Sequence, residues 1–226
     1  MTFVAGLLTI SLNEEKSKYM VFSRSQTEFA TRLTLNQNTL DRIEEVNLVG
    51  VWITTWLDWD KNTREICKRA YARITMLTKL KYAGVSEEDL ITVFILYIRS
   101  LLEYCSVVWH STLTAEMSNS IERVQKLCLK IILGEAYDGY DIALKTCGLQ
   151  SLSSRREDRC LKYGFKSPVH SKKIPVNPHV KDNTLDIRNS ECFTVNLAKT
   201  DSYRMSAIPY IQRLLNEYVK SQQNNK

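Results

Sequence analysis

The spacing of hydrophobic and polar positions along the chain changes at about residue 60. Before that point, short apolar runs separated by polar turns predict β-strands at residues 19–23, 33–35 and 46–53. Gly50 interrupts the last of these runs, which predicts a bulge or a close backbone approach there. After Asp60, apolar residues recur every three or four positions, and this is the spacing of amphipathic helices.

Helices are predicted for most of the chain after residue 60. The apolar stripe of the first helix consists of Ile66, Ala70, Ile74, Leu77 and Leu80. Further helices are predicted over about 87–109, 115–133 and 139–147, from about 153 to before Pro168, and over about 206–220. Residues 87–109 are apolar nearly all round, which predicts a central, buried helix. The polar, proline-containing stretch 168–190 predicts a loop.

The order of these elements predicts an α+β fold that is predominantly helical. We divide the chain into a small β-containing piece at residues 1–59, a helical bundle at 60–167, and an irregular C-terminal region with a terminal helix at 168–226. The chain has 226 residues, which is long enough for such units to bury a hydrophobic core.

The charge of the chain is modestly positive and unevenly placed. The formal net charge is +6, which is compatible with nucleic acid, an anionic surface or no specific partner. Residues 61–81 carry seven lysines and arginines against one acid, Glu65. Most charge runs are solvated faces of helices, but this excess is larger than a solvated face requires. The first helix is therefore the candidate binding surface.

Cysteine and histidine positions do not match the common metal-site spacings. Six cysteines include no C-x-x-C pair, and three histidines are scattered. We expect buried, reduced thiols rather than disulfides or zinc, above all at Cys67, Cys105, Cys128 and Cys160. No run reaches the ~18 apolar residues of a membrane span, and residues 1–12 lack the basic start and cleavage site of a signal peptide. We expect an intracellular protein, nuclear or cytoplasmic, without a membrane partner.

Several short stretches occur in a distinctive order. Residues 12–23 read L-N-E-E-K-S-K-Y-M-V-F-S, and residues 48–51 read L-V-G-V. Later stretches are L-D-W-D at 57–60, L-E-Y-C-S-V-V-W at 102–109, I-E-R-V-Q-K at 121–126, L-Q-S-L-S-S-R-R at 149–156, and S-A-I-P-Y with L-L-N at 206–216. Together they resemble the late palm, thumb and post-thumb region of reverse transcriptases from non-LTR (LINE-type, jockey-like) retrotransposons.

The resemblance implies a fragment of an RNA-directed DNA polymerase. Residues 1–59 would be a palm remnant in which Val49, Gly50 and Val51 form a primer-grip-like turn. Residues 60–167 would be a thumb-like bundle that grips the template–primer. Thumb lysines and arginines would contact phosphates, giving weak, non-specific affinity for RNA or an RNA–DNA duplex. The residues implied in this contact are Lys61, Arg64, Lys68, Arg69, Arg73, Lys79 and Lys81.

The same resemblance implies that the chain alone is catalytically inactive. The family holds two divalent ions with an aspartate and an [FY]-x-D-D stretch upstream of L-N-x-x-K, and this sequence has no Asp-Asp pair. No cofactor is expected here; Mg²⁺ is expected only for the full-length family enzyme. Lys16 aligns with a lysine implied as general acid toward pyrophosphate, and without a triphosphate we interpret it as solvated. We interpret Asp60 as a helix cap and Asp58 as solvated, rather than as metal ligands.

Two departures from the family pattern bear on binding. Leu48 precedes the turn where the family has an aromatic residue, and Asn62 stands where a histidine is common. Two other functions stay open: a non-enzymatic helical interaction protein derived from such an element, or a pseudogene product.

Two further groups of residues are interpreted as structural. Arg155, Arg156 and Arg159 form a second basic cluster, which Glu157 and Asp158 partly neutralise. Trp109 is interpreted as a core residue. Trp52, Trp56 and Trp59 are interpreted as packing residues, with stacking on nucleic-acid bases as the alternative.

Overall fold

The computed structural model describes residues 13–22, 32–170, 195 and 200–224. Most of these residues are helical and the strands are short, so the α+β, predominantly helical fold class is confirmed. The chain divides into two compact units, Met1–Asn62 and Thr63–Lys226. The division falls within the first turn of the first helix, and each unit is described separately below.

The strands belong to the first unit and form three two-stranded sheets. They are β1 (Lys18–Tyr19), β2 (Thr34–Leu35), β3 (Asn38–Thr39), β4 (Asp41–Arg42), β5 (Glu45–Leu48) and β6 (Val51–Thr54). β1 pairs with β4 in parallel, whereas β2–β3 and β5–β6 are antiparallel hairpins. The strands are two to four residues long, so each sheet contains few backbone hydrogen bonds.

The predicted run 46–53 is a hairpin rather than one bulged strand. Its turn consists of Val49 and Gly50, whose φ angles are +50° and +88°. Positive φ at both central residues is the geometry of a type I′ turn, and Leu48 pairs with Val51 across it. The bulge prediction at Gly50 is therefore wrong. The glycine supplies the positive φ of the turn's second position, while the branched valine takes a conformation that it disfavours.

Of the other predictions in this unit, a polar turn is confirmed and a buried strand is wrong. The polar turn after residues 33–35 is confirmed, because Asn36 and Gln37 connect β2 and β3 with positive φ. The buried strand predicted at 19–23 is wrong: β1 ends at Tyr19, and Phe22 is exposed. Ser23 lies outside the described residues.

The first unit has a small core, which explains why its apolar runs do not become buried strands. Among its described residues, the buried apolar side chains are Val51 and Trp59. With so little apolar area to cover, side chains such as Leu48 and Trp56 stay exposed.

Helices make up the rest of the described chain. They are α1 (Asp60–Tyr82), α2 (Glu87–Val93), α3 (Ser100–Leu102), α4 (Ser106–Trp109), α5 (Ala115–Leu133), α6 (Tyr140–Thr146), α7 (Leu152–His170), α8 (Asp201–Arg204) and α9 (Ala207–Asn224). The helices predicted near 61–81, 115–133, 139–147 and 206–220 are confirmed. α7 continues two residues past Pro168, so the loop predicted from 168 is wrong at its start. A proline ring keeps a helical φ, although it removes one backbone hydrogen bond and crowds the carbonyl four residues earlier. Residues 171–190 of that predicted loop lie outside the described chain.

The single helix predicted over 87–109 is broken. A π-helical stretch, Phe94–Arg99, separates α2 from α3, and Cys105 (φ +51°) separates α3 from α4. The helical segments on either side of the break are bent by 43°. Leu96 is 70% exposed, so the helix is not buried all round as predicted. In the described chain, no single helix has the length and apolar character of a membrane span, although this bent pair passes by length and composition alone.

The π-helical stretch keeps one apolar face pointing into the core. The fully buried residues of this face are Leu90, Phe94, Ile98 and Leu102. Four residues of α-helix turn ~40° beyond a full turn, so a regular helix would carry such a series away from the core. The wider π turn offsets that drift.

In the helical unit, α7 packs against α5 and α9, and buried apolar side chains also lie on α1. The predicted stripe of α1 is buried at Ile66, Ala70, Ile74 and Leu77, and the core prediction for Trp109 is confirmed. α9 packs against α7 so closely that a Cβ added at Gly164 would lie 2.7 Å from Ile211 Cγ2. The predicted buried thiols are correct for Cys67, Cys128 and Cys160 but wrong for Cys105, which is exposed because it occupies the helix break.

Candidate nucleic-acid interface

The helix α1 has two faces of different chemistry. Its buried stripe lies on one side, and Arg64, Lys68 and Lys79 are exposed on the other. At ~100° per residue, these three side chains fall within an arc of about 60° and extend along ~22 Å of the helix. We call Arg64, Lys68 and Lys79 the basic face. Its geometry is that of a row of cations able to contact successive phosphates.

Two of the seven predicted contact residues are held inside the helical unit. Arg73 donates a hydrogen bond to the Tyr97 carbonyl, and its guanidinium lies 4.4 Å from the centre of the Tyr97 ring. Lys81 donates to the Ile132 carbonyl (2.6 Å) and lies 3.6 Å from the Glu87 carboxylate. Both side chains therefore tie α1 to neighbouring elements.

Two other predicted residues contact their surroundings in different ways. In the first unit, Lys61 pairs with the Glu45 carboxylate, and its Nζ lies 4.1 Å from the centre of a Trp52 ring. Arg69 is exposed, and its Nε donates to the Glu65 carbonyl of the same helix at 3.3 Å. Arg69 lies about 100° from Lys68 around the helix, so it borders the basic face.

The primer-grip-like residues form the turn and first strand position of the β5–β6 hairpin. Val49 is 80% exposed at the tip, and Gly50 donates its N–H to Asn47 Oδ1 at 2.9 Å. Val51 is buried beneath them. The packing interpretation of the nearby tryptophans is correct for Trp59 but wrong for Trp56, whose indole is exposed.

The acidic residues before α1 are used in local backbone structure. Asp58 is exposed, as the sequence interpretation expects, and its Oδ2 accepts from the Thr54 hydroxyl (2.9 Å) and its Oδ1 from the Asp60 N–H (3.3 Å). Asp60 is the first residue of α1 rather than the residue before it. Asp58 makes a capping contact at the start of α1, since its side chain reaches the N–H two residues on.

The described residues do not fit a catalytic metal pair. Among them, no group of three or more histidine, cysteine, aspartate or glutamate side chains could hold a metal ion. Lys16 is exposed, and its backbone N–H donates to Asn13 Oδ1 at 3.0 Å. We therefore derive no chemical step through Mg²⁺ for this chain.

The second basic cluster, on α7, surrounds a buried acid. Glu103 accepts from Arg155 at both carboxylate oxygens, with Nη2 3.2 Å from Oε2, and from Arg159 Nη2 at 2.7 Å. The Glu103 side chain is almost wholly buried. The principal neutralising acid is thus Glu103, 52 residues upstream of Arg155, while Asp158 and Glu157 add smaller favourable charge interactions with Arg155 and Arg156.

The remaining arginine of that cluster is also buried. Arg156 Nη2 donates to the Ser118 hydroxyl at 2.9 Å, and its Nε donates to His110 Nδ1 at 3.3 Å. Burial, and then the charge of Arg156, lower the pKa of His110 to about 4. The neutral ring therefore accepts from the arginine, and its Nε2 lies 3.4 Å from the Tyr210 hydroxyl. This chain of contacts joins α7, α5 and α9.

A third buried group connects α5, α6 and the start of α7. Glu122 Oε1 accepts from the Tyr140 hydroxyl and from the Leu152 N–H at 3.0 Å. Gln125 Nε2 donates to the Tyr140 hydroxyl at 2.8 Å and to the Gln150 carbonyl at 3.0 Å. Burial, and then the bond to Glu122, raise the pKa of Tyr140. Tyr140 is therefore a neutral hydrogen-bond donor in the interior.

The stretches that carry the sequence resemblance meet in these three groups. Residues 102–109, 121–126, 149–156 and 206–216 supply Glu103, Glu122, Gln125, Arg155, Arg156 and Tyr210. In this unit those side chains are connected by hydrogen bonds in a polar interior, which is a structural role, although Glu122 Oε2, Gln125 Oε1 and Arg156 Nη1 are buried without a hydrogen-bond partner. None of the protein-family models, curated proteins or solved structures compared with the chain matches it.

The sequence interpretation missed two aromatic residues on α1. Tyr71 and Tyr82 are exposed, seven and eighteen residues after Arg64: Tyr82 lies within the arc of the basic face, and Tyr71 borders it by about 20°. The spacing of aromatic and basic residues along one face was the available signal.

Proposed function

We propose that this chain is the late-palm and thumb part of a reverse transcriptase from a non-LTR retrotransposon, and that it binds a template–primer duplex without sequence specificity. The basic face of α1 supplies the contacts. The proposal does not include polymerisation, because the sequence has no Asp-Asp pair to hold catalytic ions.

One observation carries the binding part of this proposal. Lys68 and Lys79 are exposed on the side of α1 opposite its buried stripe, so their charges are directed to solvent rather than used inside the unit. Lysine ammonium groups in a row attract phosphates, and binding releases the counterions that surround the nucleic acid. Such contacts do not read bases, which accounts for the absence of sequence specificity in the proposal.

The test is a titration of a labelled RNA–DNA duplex of about 20 base pairs, between about 50 and 200 mM salt. Affinity of the unchanged protein is expected to fall steeply with salt. Lys68→Ala/Lys79→Ala is expected to bind more weakly and to reduce the slope of log K against log salt by about 1.8, since each phosphate contact contributes about 0.9.

The matched control is Lys162→Ala/Lys166→Ala, which removes the same charge from exposed positions of α7. This control is expected to change the slope far less, because the two lysines lie outside the basic face. Equal affinity and equal slope for the α1 double variant and the unchanged protein would refute the proposal. Nucleotide incorporation by the purified chain would refute its non-catalytic part.

A second candidate is a helical interaction protein derived from the same kind of element. Apolar side chains are exposed along the broken helix, and they are Leu96, Tyr97, Tyr104 and Val108. Exposed apolar side chains of this kind mark contact surfaces when they are contiguous. This candidate is favoured if the chain binds no duplex and if sedimentation shows self-association that Leu96→Ser weakens.

A further inference from the structure

The basic face carries aromatic rings as well as cations. Tyr71 lies between Lys68 and Lys79 along the helix and is 44% exposed, and Tyr82 at the end of α1 is 88% exposed. Together with the two lysines they span an arc of about 80°, because spacings of 3, 11 and 14 residues from Lys68 bring side chains back to neighbouring positions around a helix. Cations and rings therefore alternate along one face.

Other tyrosines of the helical unit have rings that are already in contact. Tyr97 faces the guanidinium of Arg73, Tyr140 faces Lys126, and Tyr218 packs edge-to-face on Phe165. Within the described chain, the rings of Tyr71 and Tyr82 make no such ring or cation contact. An exposed ring flanked by lysines is available to a ligand that brings both negative charge and a flat aromatic surface.

We infer that the basic face binds an unpaired nucleic-acid strand more tightly than a duplex, with phosphates at Lys68 and Lys79 and a base stacked on Tyr71. This inference rests on the proposed function, because the same lysines supply the phosphate contacts. In a duplex the base faces are covered by neighbouring base pairs, so a helix lying on the backbone cannot stack on them. In a single strand each base has an open face, and stacking on aromatic residues is insensitive to sequence.

Tyr71, rather than Tyr82, is the principal stacking residue. Tyr71 has lysines on both sides, three residues before and eight residues after it, whereas Tyr82 has Lys79 on one side only. A base placed on Tyr71 therefore keeps phosphates within reach of two cations. An acidic polypeptide would use the same charges, but it has no base to place on the ring.

The test compares a labelled single-stranded RNA of about 12 nucleotides with the corresponding RNA–DNA duplex, both at fixed salt. Tyr71→Ala is expected to weaken single-strand binding about five- to tenfold, the lower end of the effect of removing a stacking ring. Duplex affinity is expected to change less than about twofold. Tyr71→Phe keeps the ring and is expected to bind both ligands like the unchanged protein.

Control variants separate this inference from the proposed function. Tyr163→Ala removes a tyrosine of similar exposure from α7 and is expected to leave both affinities unchanged. If Tyr71→Ala binds the single strand normally, or loses single-strand and duplex affinity equally, the stacking inference is wrong while duplex binding stands. If the Lys68→Ala/Lys79→Ala variant binds both ligands normally, the proposed function itself fails. Equal competition by polyglutamate and by unlabelled RNA would also overturn the inference, since charge alone would then explain binding.

Discussion

Two helices of the same unit carry basic clusters, α1 with Arg64, Lys68 and Lys79 and α7 with Arg155, Arg156 and Arg159, and the two differ in what surrounds the charge. On α7, Arg155 and Arg159 close around the buried carboxylate of Glu103. On α1, Lys68 and Lys79 are exposed to solvent. A basic cluster in a sequence can therefore be either paired in the interior or exposed on the surface. The buried carboxylate of Glu103 makes the α7 cluster part of the interior, whereas Lys68 and Lys79 of α1 stay exposed.

The largest expected effect tests the interior role of the α7 cluster. Glu103→Ala leaves the guanidinium groups of Arg155 and Arg159 without their shared acid, and we expect a loss of about 3–5 kcal/mol in the free energy of unfolding. Urea denaturation measures it. Glu217→Ala removes an exposed acid from α9 and should cost less than about 0.5 kcal/mol. Similar losses for the two variants would show that Glu103 does not neutralise the cluster.

A second effect concerns pH and His110, whose pKa is lowered to about 4 from 6.5 by burial and by Arg156. The unfolded chain takes up this proton more readily, so the stabilisation is present above pH 6.5 and is lost as the pH falls toward about 4. Because solvent reaches part of the ring, we expect a loss of about 2 kcal/mol over this range.

His110→Gln isolates that contribution, because glutamine keeps an acceptor near Arg156 without titrating. Urea midpoints at pH 7, 5.5 and about 4 measure it, and carboxylate titration is common to both proteins. We expect the unchanged protein to lose stability more steeply than the variant. Parallel curves would contradict the assignment of a neutral, buried His110.

Exchanging arginine and lysine is expected to affect the free energy of unfolding differently in the two clusters, by a smaller amount than the changes above. Arg155→Lys gives up the two-point contact with Glu103 and should cost about 1–2 kcal/mol of unfolding free energy. Lys68→Arg keeps the charge on an exposed face, so it should change neither stability nor duplex affinity measurably. Equal tolerance of the two exchanges would remove the distinction between the clusters.

The smallest expected effect is on the stability of variants in the basic face itself. Lys68→Ala should change the free energy of unfolding by less than about 0.5 kcal/mol, because the side chain is exposed. Thermal unfolding monitored by circular dichroism measures this. A clear loss of stability would mean that Lys68 has a structural role, and its effect on nucleic-acid binding could then no longer be attributed to phosphate contacts.

The sequence predicted most helices because their apolar stripes need only local information. It missed the principal neutralising acid for α7, because Glu157 and Asp158 are neighbours in sequence whereas Glu103 becomes a neighbour only through packing. It also missed the break at Cys105. Apolar residues such as Leu102 and Val107 continue on both sides of the break, so the sequence keeps the pattern of a continuous helix. Whether a basic residue of α1 is held, as Arg73 is by Tyr97, depends likewise on contacts that no local pattern contains.

The π-helical stretch Phe94–Arg99 has a consequence for changes in chain length. A wide turn accommodates one residue more than an α-helix would need between Phe94 and Leu102. Deleting the exposed Leu96 would convert the buried spacing of four, four and four residues into four, three and four, which a regular α-helix presents on one face. A single-residue deletion should therefore be accommodated here, whereas the same loss within α5 would rotate every later side chain of that helix by about 100°.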